Sequence, residues 1–191
     1  MSDARRRKLL VSATAAMGGA GIAGWSVPFI ASMLPSERAK AIGAPVETDI
    51  GTIQAGQLET VQWRGKPVWV VHRTEEMLAA LGKHEDALLD PRSRQPQQPA
   101  CCRNATRSIK PEYFVAIGIC THLGCVPTYA PRAGDAALGP DWPGGFYCPC
   151  HGSKFDLAGR VYKNVPAPSN LVIPPHQYIT DTRLSIGEET G

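Results

Sequence analysis

Two short segments constrain this chain more than anything else in its 191 residues. One reads Cys120-Thr121-His122-Leu123-Gly124-Cys125, the other Cys148-Pro149-Cys150-His151-Gly152-Ser153. Each places a cysteine and a histidine in one tight loop, and each carries an additional cysteine. Twenty-five residues, 123–147, separate the C-x-H pair from the C-x-x-H pair. Two thiolates and two imidazoles make a donor set for a soft or borderline metal. A fold that uses them has to bring two distant loops to one point.

Zinc is the bland occupant of such a set, in an exported structural module with no redox role. The spacing weighs against it. A structural zinc site commonly opens with two nearby cysteines and closes with two nearby histidines, whereas here each loop supplies one of each. In a Rieske centre two histidines replace two cysteines on one of the two irons. Each loop then gives one ligand to each iron, which matches this layout. A catalytic Cys/His pair gives no reason for a duplicated loop. The expected cofactor is one 2Fe–2S cluster, with Cys120, His122, Cys148 and His151 as ligands.

The N-terminus carries a second signal. Residues 9–34 form a run of 26 without a charge, preceded by Arg5, Arg6, Arg7 and Lys8 and followed by Glu37, Arg38 and Lys40. A bilayer span needs about 20 apolar residues as helix, so this run crosses with some tilt. Gly18, Gly19, Ala20, Gly21, Ala23 and Gly24 would let another membrane helix approach closely, and Pro28 is expected to kink the outer end. The basic residues place the N-terminus in the cytoplasm and everything after the span outside. They also resemble a twin-arginine export signal. Ala39-Lys40-Ala41 has the look of a cleavage site, but the apolar run far exceeds a signal h-region of about 7–15 residues. A retained anchor is expected.

The formal net charge is +3, and the basic start accounts for all of it. The rest of the chain is close to neutral, which excludes the electrostatic footprint of a nucleic-acid binder. The expected organisation is a basic tail over 1–8, a transmembrane anchor over 9–34, a hinge linker over 35–45 and a head over 46–191. Strand signals fall at 46–50, 58–63, 67–72, 113–119, 171–173, 178–180 and 184–186, punctuated by glycines and prolines. One helix is expected over 74–83, capped by Thr74, with Glu75 and Glu76 at its positive end and Gly82 to stop it. Residues 90–100 read as loop. The class is mostly β, an antiparallel sandwich or small barrel.

The two boxes resemble those of the high-potential Rieske proteins of quinol–cytochrome c reductases, the cytochrome bc complexes. The likeness extends over the whole chain: basic start, single span, short hinge, strand-rich head. It implies a Rieske-type β-sandwich with a cluster-binding subdomain at about 118–170. It assigns Cys120 and Cys148 to the inner iron and His122 and His151 to the outer one. It pairs Cys125 with Cys150 in a disulfide, a bond that persists outside the cytoplasm. Pro166-Ala167-Pro168 resembles the family's proline loop, which covers the cluster together with Leu123 and Gly124; the family often begins that loop with Gly, where this chain has Val165. Ser153 matches the family serine that hydrogen-bonds a sulfur. The usual second donor is a tyrosine two residues later, and here that position is Phe155.

The resemblance implies a function as well. One electron passes from quinol to the cluster at the outer face of a bacterial inner membrane, coupled to proton release through His151, with His122 also near the exposed edge. The head then swings on residues 36–44 between cytochrome b and a c-type cytochrome, within a dimeric complex in the lipid bilayer. Rieske ferredoxins of oxygenases lack the extra cysteines and the span. The Rieske subunit of arsenite oxidase is a nearer alternative, but the span, the hinge and the length between the boxes favour the quinol enzyme. His72, His84 and His176 read as ordinary strand, helix and loop residues, and nothing in the boxes requires Cys101 or Cys102.

Neutral imidazoles leave the cluster less negative than four thiolates would, which puts its potential within roughly −150 to +300 mV. Hydrogen bonds to the sulfurs raise it further, and Phe155 cannot make one. Phe155→Tyr is therefore expected to raise the potential in a redox titration; no change, or a fall, contradicts this account.

Overall fold

The computed structural model describes residues 3–36, 39 and 43–188. It divides into two compact units, Met1–Ile42 and Gly43–Gly191. Residues 37, 38 and 40–42, within the expected hinge, lie outside the described residues.

Among the described residues, the first unit contains the helix α1 (Asp3–Ser32). It starts before the apolar run, taking in the basic residues, because Arg and Lys are good helix formers. At 1.5 Å per residue its 30 residues extend about 45 Å, more than the roughly 30 Å hydrocarbon core. Its hydroxyls turn back on the helix: Thr14 donates to the Leu10 carbonyl at 2.9 Å, Ser26 to Ala23 at 2.8 Å and Ser32 to Phe29 at 2.7 Å. Such bonds satisfy polar side chains where no water is available.

The second unit is three antiparallel three-stranded sheets. The first orders β1 (Val46–Asp49), β9 (Arg183–Ile186) and β8 (His176–Tyr178). The second orders β2 (Leu58–Trp63), β3 (Lys66–His72) and β4 (Tyr113–Ile117). The third orders β5 (Thr128–Ala130), β6 (Gly145–Cys148) and β7 (Ser153–Phe155).

The middle sheet serves both of the others. Side chains alternate across a strand, so Val68 and Val70 of β3 and Val115 and Ile117 of β4 join Leu184 and Ile186 of β9 in one core. Trp69, Val71, Phe114 and Ala116 face the opposite way and join Phe146, Phe155, Cys120 and Cys148 in another. This is why 68–71 and 114–117 are continuous buried apolar runs rather than alternating ones. Trp69 stacks on Phe146 with ring centroids 5.0 Å apart, so the core beneath the boxes rests on the middle sheet.

The expected strands over 46–50, 58–63, 67–72, 113–119 and 184–186 appear with ends shifted by at most two residues. Three readings are corrected. Residues 171–173 form no strand: the Leu171 N–H donates to Gly159, the Ile173 N–H to Gln97, and the Val172 carbonyl accepts from Ile117 at the end of β4. The strand expected at 178–180 lies at His176–Tyr178 instead, so His176 is a buried strand residue and not a loop one. The helix α2 (Glu75–Ala80) is shorter than 74–83. Thr74 caps it, accepting from the Met77 N–H at 3.3 Å, but Leu81 stays right-handed and bonds back to Leu78, so Gly82 is not its cap. His84 then precedes a short 3-10 turn, Glu85–Ala87. A second such turn is Ala100–Cys102.

The long loops around the third sheet are held by three fully buried arginines. The Arg73 guanidinium donates to Pro111, Thr106 and Leu157 carbonyls and to the Ser108 hydroxyl. Arg107 donates to the Ala158, Gly159 and Leu171 carbonyls and to Gln98. Burial pulls both down to about 10, and both remain charged at neutral pH. Arg160 donates to the buried Asp156 carboxylate at 2.7 Å and to the Leu81 carbonyl at 2.6 Å. Removing one partner from a buried pair leaves the other uncompensated. Arg160→Met is expected to lower the stability of the head by about 3–5 kcal/mol, read by chemical denaturation.

Candidate metal centre

β4 leads into the first box through Gly118, where a Cβ would collide with the Trp69 ring. The second box is the turn of the β6–β7 hairpin, closed by the Cys148–Ser153 pair. Both loops share one backbone device. The Gly124 N–H donates to the Cys120 carbonyl at 3.1 Å, and the Gly152 N–H donates to the Cys148 carbonyl at 2.9 Å. Each glycine stands four residues after its cysteine and has a left-handed φ, 84° and 77°, a conformation that costs a residue with a Cβ. In the first loop the Cys120 N–H also donates to the Cys125 carbonyl at 2.7 Å.

The two loops meet. A Cys125–Cys150 disulfide joins them. Cys120 and Cys148 are free thiols, each 2% exposed, and lie close enough for each to influence the other's ionisation. The His122 and His151 rings lie perpendicular with centroids 4.8 Å apart. His151 is exposed and His122 half-buried. The site therefore has sulfurs inside and imidazoles at its rim. Burial pushes the Cys120 thiol up, and contact with Cys148 adds to this; the His122 backbone N–H and the Ser153 hydroxyl act the other way.

A third loop closes over the boxes. The Ala167 N–H donates to Ser153 Oγ at 3.0 Å, and Thr121 Oγ1 donates to the Ser169 carbonyl at 2.7 Å. Ala167 is buried while Pro166 and Pro168 are exposed. Leu123 is 72% exposed beside His122. Phe155 is fully buried opposite Phe146.

This donor set fits a metal cluster. Two buried thiols and a pair of imidazoles come from loops that the disulfide joins, and a bound cation converts such thiols to thiolate ligands. The sulfurs of Cys125, Cys148 and Cys150 also lie within 4.8 Å of one another, but the disulfide occupies two of them and leaves Cys148 as the donor. Residues 46–175 match the family model described as the Rieske [2Fe-2S] domain. The chain belongs to the Rieske iron–sulfur family.

Residues 1–36 match a second model, described as the ubiquitinol-cytochrome C reductase Fe-S subunit TAT signal. A ubiquinol-cytochrome c reductase iron-sulfur subunit of Allochromatium vinosum is 63% identical over 97% of this chain and 90% of the relative. The subunit of the same name from Blastochloris viridis is 42% identical over 97% and 94%. Among solved structures, a chain of a hyperthermophilic respiratory Complex III is 26% identical, with TM-score 0.50, and covers 91% of this Rieske protein and 98% of that chain. The cofactor of this Rieske protein is a 2Fe–2S cluster, which displaces the zinc module.

Sequence reading passed over three parts of the site. The Thr121 hydroxyl and the Ala167 N–H tie the proline loop to the boxes, and neither has a sequence signature. The paired glycines do: both boxes read C-x-x-x-G. Ser153→Ala would strand the buried Ala167 N–H and take away a hydroxyl that favours the Cys120 thiolate. A stranded buried donor costs about 1–3 kcal/mol. Thermal unfolding of the cluster-loaded protein is expected to show that loss, together with a lower reduction potential.

Proposed function

We propose that this chain is the electron-transfer subunit of a quinol–cytochrome c reductase. The observation that carries the reading is the meeting of the two loops, which pairs the His122 and His151 rings at the rim and leaves Cys120 and Cys148 as buried free thiols. The relatives named above, matching over almost the full chain, support it.

Cys120 and Cys148 would hold one iron of the cluster, and His122 and His151 the other. When bound, the cluster accepts one electron and returns it. His151, the more exposed of the two histidines, receives a proton from the quinol hydroxyl at the ring nitrogen that ligation leaves free, and His122 can do the same at the shared edge. Leu123, Pro166 and Pro168 surround that edge with apolar surface, which suits a quinol ring and a dry docking face. Ser153, held by the Ala167 N–H, favours the Cys120 thiolate, while Phe155 brings no donor.

Residues 1–8 form the cytoplasmic tail and 9–34 the anchor in a bacterial inner membrane, with the head, 46–191, on the periplasmic side. A tether over 35–45 keeps the head at high effective concentration near two partners, a cytochrome b that offers quinol and a c-type cytochrome that receives the electron. The assembly is a dimer of such complexes. The test is an EPR-monitored redox titration of the purified protein at several pH values. A high potential that falls as pH rises above neutrality supports proton-coupled quinol oxidation at the histidines. A low potential that ignores pH overturns the quinol role, and absence of any 2Fe–2S signal overturns the ligand assignment.

A further inference from the structure

Cys101 and Cys102 take no part in the site above. They stand at the end of the 3-10 turn Ala100–Cys102, which is held by the Cys102 N–H donating to Pro99 at 3.0 Å and the Arg103 N–H donating to Ala100 at 3.1 Å. The Asn104 amide donates to the Cys101 carbonyl at 3.1 Å. This turn leaves the two Sγ atoms 3.9 Å apart, in thiol–thiol contact. The surroundings of the two are unlike. Cys101 is exposed, whereas Cys102 is 0% exposed in the core that also holds Cys120 and Cys148. Burial and the adjacent Cys101 push the Cys102 thiol up to about 12, opposed by the Arg107 guanidinium and the Ile109 N–H. An accessible thiol beside a shielded one is the layout of an attacking and a resolving cysteine. The Cys125–Cys150 bond elsewhere in the head is itself a product of disulfide-forming chemistry.

We propose that Cys101 and Cys102 form a reversible disulfide site, with Cys101 as the entry thiol and Cys102 as the resolving one, oxidised by a disulfide-bearing reagent. The Cys101 thiolate attacks one sulfur of the oxidant's disulfide. A mixed disulfide forms, the oxidant's S–S bond breaks, and one thiolate leaves. Cys102 gives up its proton and attacks the Cys101 sulfur, closing the ring and releasing the second thiolate. The pair has then lost two electrons and two protons, and one oxidant disulfide has become two thiols. The side chain of Cys101, free in solvent, can cover the distance while Cys102 stays in the core. Adjacent Cα atoms are about 3.8 Å apart, closer than the roughly 4.4–6.8 Å usual for a disulfide. The ring is therefore strained and reopens under thiols. Closure shields an exposed thiol from irreversible oxidation. The proposal stands independently of the quinol reading.

The test uses the full-length, cluster-loaded protein, iodoacetamide as the thiol probe and glutathione disulfide as the oxidant, read by peptide mass spectrometry. Before oxidation, native protein is expected to take label at Cys101 alone, and denatured protein at both. After oxidation, the peptide carrying 101 and 102 is expected to be two hydrogens lighter, unlabelled, and restored by a dithiol reductant. In Cys102→Ser, glutathione is expected to stay on Cys101. A parent protein that keeps glutathione on Cys101, forms dimers through it, or loses no hydrogens from that peptide overturns the proposal. The visible spectrum of the cluster, followed in parallel, reports separately on the Rieske site.

Discussion

Charged hydrogen bonds from buried guanidinium groups to main-chain carbonyls hold this head together where no sheet can. The segments 104–112 and 156–173 have little ladder pairing, yet each contains a buried stretch, 107–108 in the first and 156–161 in the second. Buried backbone groups need partners, and the fork of an arginine serves several at once. Arg73 and Arg107 satisfy carbonyls at Thr106, Pro111, Leu157, Ala158, Gly159 and Leu171. Asp156 supplies the one close buried countercharge, on Arg160, and also receives the Ala158 and Arg160 N–H groups. The proline loop, 166–168, lies between the braced carbonyls of 157–159 and of Leu171, so its position over the boxes depends on arginines that touch neither box.

The middle sheet converts that bracing into a platform. Because β3 and β4 are apolar on both faces, they pack against the β1–β9–β8 sheet and against the β5–β6–β7 sheet. The third sheet has only three-residue and four-residue strands, shorter than the usual length of about five or six residues. Its stability comes from Trp69 against Phe146 and from the disulfide between the two loops. Fold and candidate site are therefore built together: Cys120 and Cys148 are members of the same core as Phe114 and Phe155.

Sequence patterns reveal the elements whose cause is local. The dense Val68-Trp69-Val70-Val71 run announces a strand, and Thr74 followed by two glutamates announces a capped helix. The boxes, through the types and spacing of their donors, lead to the cluster. The third sheet is not visible in this way. Gly145 sits in β6 where a side chain would overlap the Phe155 carbonyl, and a glycine read alone signals a break rather than a strand. Residues 171–173 show the opposite error: Leu-Val-Ile has strand composition, but its backbone partners are three separate segments. The arginine network is equally hidden, since a buried arginine and a surface one look the same in sequence.

The second box is the turn of a hairpin, and its counterpart is closed by the same kind of left-handed glycine and bolted to it by a covalent bond. Atoms so confined have few ways to shift when the charge beside them changes. Water is largely kept from the sulfurs, so no shell of mobile dipoles must reorient there. Arrival or departure of an electron then demands little structural reorganisation, and a small reorganisation demand is what permits rapid transfer over a modest driving force.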